Sequence, residues 1–140
     1  MTKRVAVLMG GWSSEREVSL SSGEGCLGGL KRAGYDAYPI DVTQNIPALL
    51  AALDPKPDVV FNALHGPFGE DGRIQGLLDM MEIPYTHSGA LASAIAMDKA
   101  ISRYLFHDAE VPLAPGHAIT KERLLAHKEP ARPYVVKPLN

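Results

Sequence analysis

The sequence predicts an α/β fold: an open parallel sheet with flanking helices on both faces. Three observations predict it. Val5-Ala6-Val7-Leu8-Met9 is an unbroken apolar run ending at Gly10-Gly11, which is how a strand buried on both faces reads. Two further strand-like runs follow, at residues 35–42 and at Val59-Val60-Phe61-Asn62-Ala63-Leu64. Helical stretches separate them, and a β-α-β-α-β-α order implies parallel strands joined by right-handed crossovers.

Each element has a local cause. The first helix is expected to be capped by Ser13 or Ser14, with Glu15 and Glu17 complementing its dipole and Gly34 ending it. Its inward stripe is expected to be Val18, Ser22, Cys26, Leu30 and Ala33. Gly23, Gly25, Gly28 and Gly29 weaken that helix by up to about 1 kcal/mol each relative to alanine. Close packing on the sheet is their expected use, so Gly28→Leu is expected to destabilise the domain. A short helix spans 46–53 and closes at Asp54-Pro55-Lys56-Pro57. A third helix runs from about Arg73 to Met81, with Asp71 as its expected N-cap and Ile74, Leu77, Leu78 and Met81 inward. Residues 83–86 read as a fourth strand, and 88–109 as a helical stretch.

The domain division follows: an α/β domain at 1–110, a linker at 111–116 and the start of a second domain at 117–140. That last piece holds a strand at 117–119, a helix at 121–127 and a strand at Tyr134-Val135-Val136-Lys137. It is too short to bury a core of its own, so the chain is expected to stop inside a second domain.

Composition narrows the function. A formal charge of −2 offers no broad basic surface for nucleic acid or an anionic membrane. No apolar run approaches the roughly 20 residues of a membrane span, and the start has no signal-peptide pattern, so the expected compartment is the cytoplasm. The single cysteine, Cys26, is expected to be a small packed side chain.

Ligands of a parallel sheet bind beyond the carboxyl ends of its strands, where two loops stand out. In Gly10-Gly11-Trp12-Ser13-Ser14-Glu15, the glycines let backbone approach a ligand, and a carboxylate beside free N–H groups suits a zwitterion. A tight turn followed by a dipole-matched surface charge reads equally well. The loop His65-Gly66-Pro67-Phe68-Gly69-Glu70-Asp71-Gly72 is costly for a segment with no task. His65 is placed to bond a substrate carboxylate, and Glu70 and Asp71 to orient it or to cap the next helix. No metal-ligand spacing is recognisable, so no metal site is assigned to this segment. Lys99 and Lys137 have the chemistry of phosphate ligands, or of solvated surface lysines. Trp12 and the other histidines, His87, His107, His117 and His127, show no partner pattern.

Four motifs in register resemble D-alanine–D-alanine ligases: residues 10–20, 65–72 and 88–99, and Pro133-Tyr134-Val135-Val136-Lys137-Pro138. The resemblance implies a Rossmann-like domain preceding an ATP-grasp domain, whose truncated start would be residues 117–140. It implies that ATP phosphorylates one D-alanine carboxylate and that a second D-alanine attacks the acyl phosphate, for peptidoglycan precursor synthesis. It implies substrate contacts at Glu15, Val18 and His65, with Glu15 on the ammonium and His65 near the carboxylate. Lys99 and Lys137 would approach the ATP phosphates. ATP with Mg2+ or Mn2+ would be bound mostly by segments beyond Asn140, leaving this 140-residue chain inactive alone. A homodimer through this region is a further implication. The alternatives are a dinucleotide-binding domain, with Asp41 as the ribose acid, and a dimerisation module without catalysis. Against the first, the glycine loop is not G-x-G-x-x-G; a P-loop kinase is excluded because no Gly-Lys-Ser/Thr follows a glycine-rich loop.

Overall fold

In a computed structural model, residues 2–126 and 133–139 are described. They form two compact units, Met1–Ala94 and Ile95–Asn140. In the first, β1 (Arg4–Gly10), β2 (Asp36–Val42) and β3 (Val59–Asn62) form a parallel sheet of order β2-β1-β3. Val5 pairs with Ala37 on one side and Val59 on the other, so β1 is central.

Two-residue alternation divides the core between the faces of the sheet. Ala6, Leu8, Ile40, Val42 and Val60 pack on one face with residues of α2 (Ile46–Ala52) and α3 (Arg73–Met80), Leu49, Ile74 and Leu78. Val5, Val7, Met9 and Ala37 pack on the other with Leu27 of α1 (Arg16–Arg32). Helices therefore cover both faces, and every side chain of β1 from Val5 to Met9 is buried.

Several elements differ from expectation. The inward residues of α1 are Ser19, Gly23 and Leu27; Val18 is 55% exposed. At the N-terminal end of this stripe the helix lies so close to β1 that only the small Ser19 and Gly23 fit, and Leu27 packs further along it. A Cβ on Gly23 would stand 2.5 Å from that of Met9. Gly25 meets nothing within 4 Å, and Gly28 meets only the end of the Arg32 side chain, so Gly28→Leu has no packing reason to destabilise.

The expected fourth strand is reduced to one bridge between Val60 and Tyr85. Val60 N–H donates to the Pro84 carbonyl, and Thr86 N–H donates to the Val60 carbonyl, but Pro84 has no N–H to lengthen the ladder. The 88–109 stretch breaks at Asp98, which leaves helical geometry and caps a new helix. The result is α4 (Ala90–Met97) and α5 (Lys99–Asp108). Residues 111–116 carry no helix or strand, and the expected strands at 117–119 and 134–137 do not form. A strand needs a neighbour for its polar backbone, and these segments have none among the described residues. The last helix, α6, is Lys121–Leu125; the expected end at His127 lies outside the described residues.

Candidate functional site

Two loops leave the carboxyl ends of β1 and β3, and buried hydroxyl and amide groups set their courses. Ser19, fully buried, accepts a hydrogen bond from Gly10 N–H at 2.9 Å and donates to the Ala63 carbonyl at 2.7 Å. One hydroxyl thus ties α1 to the ends of both strands. Removing it would strand two buried backbone groups, at about 1–3 kcal/mol for each one left unpaired. Beneath the second loop, Asn62 and Gln75 both donate to the Gly69 carbonyl, at 2.9 and 3.0 Å. Both amides are buried, and Asn62 also accepts from Leu64 N–H.

The acids of the second loop fold it back on itself. Glu70 accepts from Gly66 N–H at 2.6 Å. Asp71 accepts from Phe68 N–H at 2.9 Å and from Arg73 N–H at 3.2 Å. Asp71 is therefore a loop brace, and Gly72, with φ of 93°, takes the N-cap position expected of it.

The expected cap of α1 also does something else. Neither Ser13 nor Ser14 occupies the N-cap position, which falls to Glu15 with no side-chain cap. The Ser13 hydroxyl instead accepts from Glu15 N–H at 3.1 Å and donates to the His65 carbonyl at 2.8 Å. Ser13 thereby joins the two suspected loops. Gly66 follows with φ of 72°, and a Cβ there would stand 2.7 Å from a Glu15 carboxylate oxygen. The absence of a side chain at Gly66 is what admits the Glu15 carboxylate.

Glu15 and His65 are thus brought to one place, at the strand ends. Half-buried His65 lies with Nε2 3.3 Å from the Ser22 hydroxyl. Ser22 stands seven residues beyond Glu15, two turns along the same face of α1, with Val18 between them. Among the described residues no donor claims the Glu15 carboxylate, whereas Glu70, Asp71 and Asp41 are all engaged. An exposed anion beside a histidine and a glycine backbone can take an ammonium group.

Asp41 is committed elsewhere. Arg16 holds it through two hydrogen bonds, at 2.8 and 2.7 Å, and also donates to the Gly11 carbonyl. The hydrogen bond to Asp41 raises the guanidinium pKa above its ordinary value, so Arg16 keeps its charge. An acid gripped this way is not free for a ribose.

Lys99 and Lys137 lie in the second unit, and both are exposed. Asp98 caps α5 by accepting from Ala100 and Ile101 N–H, and the Lys99 amino group donates to the Leu139 carbonyl at 3.4 Å. The segment bearing Lys137 therefore reaches the start of α5. Among the described residues no group of three His, Cys, Asp or Glu is placed to hold a metal ion, and no helix is long and apolar enough to cross a membrane.

Sequence reasoning did not single out Ser13 as a bridge, nor Ser19, Ser22, Asn62 or Gln75. The available signal was polar residues at inward positions: Asn62 ends an apolar strand, and Gln75 adjoins Ile74 in an amphipathic helix.

Residues 49–88 match the family model for the D-ala D-ala ligase N-terminus. The chain is 55% identical, over 100% of its length, to a D-alanine–D-alanine ligase of Rhodospirillum rubrum. It is 57% identical, over 99% of its length, to that of Acidiphilium cryptum. It covers 47% and 46% of those proteins, so it spans about half the length of the curated relatives it matches. The fold is similar to a Bacillus anthracis D-alanine–D-alanine ligase solved with ATP, at a TM-score of 0.68 and 38% identity over 78% of this chain and 38% of that one. A Coxiella burnetii D-alanine–D-alanine ligase shares the fold at a TM-score of 0.68, with 24% identity, over 89% of this chain and 50% of that one. Over its whole length the chain is similar to D-alanine–D-alanine ligases, and residues 49–88 match the N-terminal region of that family.

Proposed function

We propose that this chain carries the binding site for the first D-alanine of an ATP-dependent ligase that makes D-alanyl-D-alanine for peptidoglycan precursors. The observation that supports it best is the free Glu15 carboxylate lying against Gly66 beside His65. Glu15 binds the ammonium of the substrate, and His65, steadied by Ser22, faces its carboxylate. Val18, exposed on the same helix face, lines the site. Holding both ends of a small zwitterion fixes its carboxylate for phosphoryl transfer from ATP, and such orientation is a major source of rate. The amine of a second D-alanine then displaces phosphate from the acyl phosphate.

Lys99 and Lys137 approach the nucleotide phosphates in this reading, as point charges. Among the described residues no cluster of His, Cys, Asp or Glu is placed to hold Mg2+ or Mn2+. Because the chain spans about half the length of its relatives, metal, adenine and the transition-state cations are assigned in this reading to the other half, and the chain alone is expected to be inactive. The proposed division is a substrate domain at 1–110, a linker at 111–116 and the start of an ATP-grasp domain at 117–140. ATP consumption places the reaction in the cytoplasm, and the family likeness supports a homodimer, which light scattering tests. A dinucleotide site is disfavoured because Arg16 occupies Asp41.

The test is D-alanine-dependent ADP release by the longest reading frame containing this chain, beside the same protein with Glu15→Gln. Release that collapses in the variant, with L-alanine inactive, is expected. A folded full-length protein with no D-alanine-dependent release refutes the proposal.

A further inference from the structure

Phe68 occupies a backbone conformation that residues with a β-carbon rarely adopt, with φ of 71°. Its neighbours in the loop with the same sign of φ, Gly66 and Gly72, are glycines. A glycine at 68 would serve a simple turn with less strain, so the aromatic ring itself must have a use.

The surroundings show what holds it. The ring stacks on Trp12, with centroids 4.4 Å apart and planes tilted by 44°. The Arg73 guanidinium covers Phe68 at 4.3 Å from the ring centroid, within cation–π range. Asp71 accepts the Phe68 N–H and pairs with Arg73 at 3.3 Å, completing the clamp. Trp12 belongs to the loop of Glu15, and Phe68 to the loop of His65. Trp12 follows two glycines of positive φ and immediately precedes Ser13, whose hydroxyl hydrogen-bonds across the two loops.

We infer that the Trp12–Phe68–Arg73 stack is a positioning clasp that locks the loop of Glu15 to the loop of His65. Trp12 and Phe68 are thus positioning residues for the amino-acid substrate. The inference rests on the ligase reading and deepens it. Between the loops the hydrogen bond from Ser13 to His65 is one point of attachment and the aromatic contact is another, which limits rotation about the first. Displacements below 1 Å between two groups gripping one small zwitterion weaken both grips.

The experiment uses the full-length protein, with Trp12→Ala, Phe68→Gly and the double variant assayed for KM of D-alanine, KM of ATP and melting temperature. Each single variant is expected to lower kcat/KM for D-alanine on the order of tenfold through KM, with the KM for ATP unchanged. The double variant is expected to lose no more than either single, because each one opens the same clasp. Trp12→Phe keeps the stack and retains most of the affinity. Phe68→Gly relieves the backbone, so its melting temperature stays close to that of the parent and its loss is not unfolding. A KM for D-alanine within about twofold of the parent in folded single variants, or losses that multiply in the double, overturns the clasp while the ligase reading stands. A parent protein with no D-alanine-dependent release overturns both.

Discussion

Two glycines in one helix, two residues apart, should respond to alanine with opposite signs. Gly23 faces β1, and an added Cβ would stand 2.5 Å from the Met9 Cβ and 2.9 Å from its Cε. The Cε can swing aside, but the Met9 Cβ is fixed by the central strand and is buried. Because the clash is with a fixed Cβ, forcing α1 off the sheet costs about 2–3 kcal/mol, the upper part of the overpacking range, against a gain of roughly 1 kcal/mol in helix propensity. The steric term wins, and Gly23→Ala should lose about 1–2 kcal/mol. Gly25 is exposed with nothing within 4 Å of its would-be Cβ, so only the propensity gain remains. For 140 residues the unfolding entropy makes 1 kcal/mol worth about 3 °C. Gly23→Ala should therefore melt about 3–6 °C lower, and Gly25→Ala up to about 3 °C higher. Urea unfolding followed by far-ultraviolet circular dichroism, with thermal melts in parallel, measures both. A Gly23→Ala protein as stable as its parent would refute the claim that α1 rides directly on Met9.

Gly66→Ala puts a methyl group 2.7 Å from the Glu15 carboxylate oxygen, at a φ that costs a β-carbon-bearing residue about 1–2 kcal/mol. In the complete protein the KM for D-alanine should rise on the order of tenfold while that for ATP holds; an unchanged D-alanine KM would show that Glu15 does not depend on this gap. Tyr85 donates to Asp79 at 2.9 Å, and burial, then that hydrogen bond and the Asp79 charge, raise its pKa above the ordinary 10.0. A raised folded-state pKa gives stability that is present below the unfolded value and lost as pH rises through the folded one. The urea midpoint should therefore fall more steeply above pH 10 in the parent than in Tyr85→Phe, by a small amount because water screens the site. Parallel pH profiles would remove Tyr85 from the alkaline response.

Much of this protein was legible in its residue order. An apolar run closed by Gly10-Gly11 reads as a strand hidden on both faces, and a parallel sheet with helices on both sides follows from it, with the expected fourth strand reduced to one bridge. The two loops at the strand ends were legible because glycine, proline and charge concentrate there at no benefit to a core. Placement was not legible. Hydrophobic spacing chose the face of α1 with Val18 and Cys26, yet the sheet takes Ser19, Gly23 and Leu27. The reason at Ser19 and Gly23 is that closeness of approach, set by β1 beneath, outweighs apolarity where a helix lies on a strand. Local rules likewise made Ser13 and Asp71 caps, because capping is the nearest use for a short polar side chain. In the folded chain Ser13 bridges to the carbonyl of His65, 52 residues away, and Asp71 braces Phe68. The sequence by itself determined which residues are chemically able to form the site. Only the tertiary structure decided which of them meet, because contacts across some fifty residues arise from strand order and helix packing and leave no local trace.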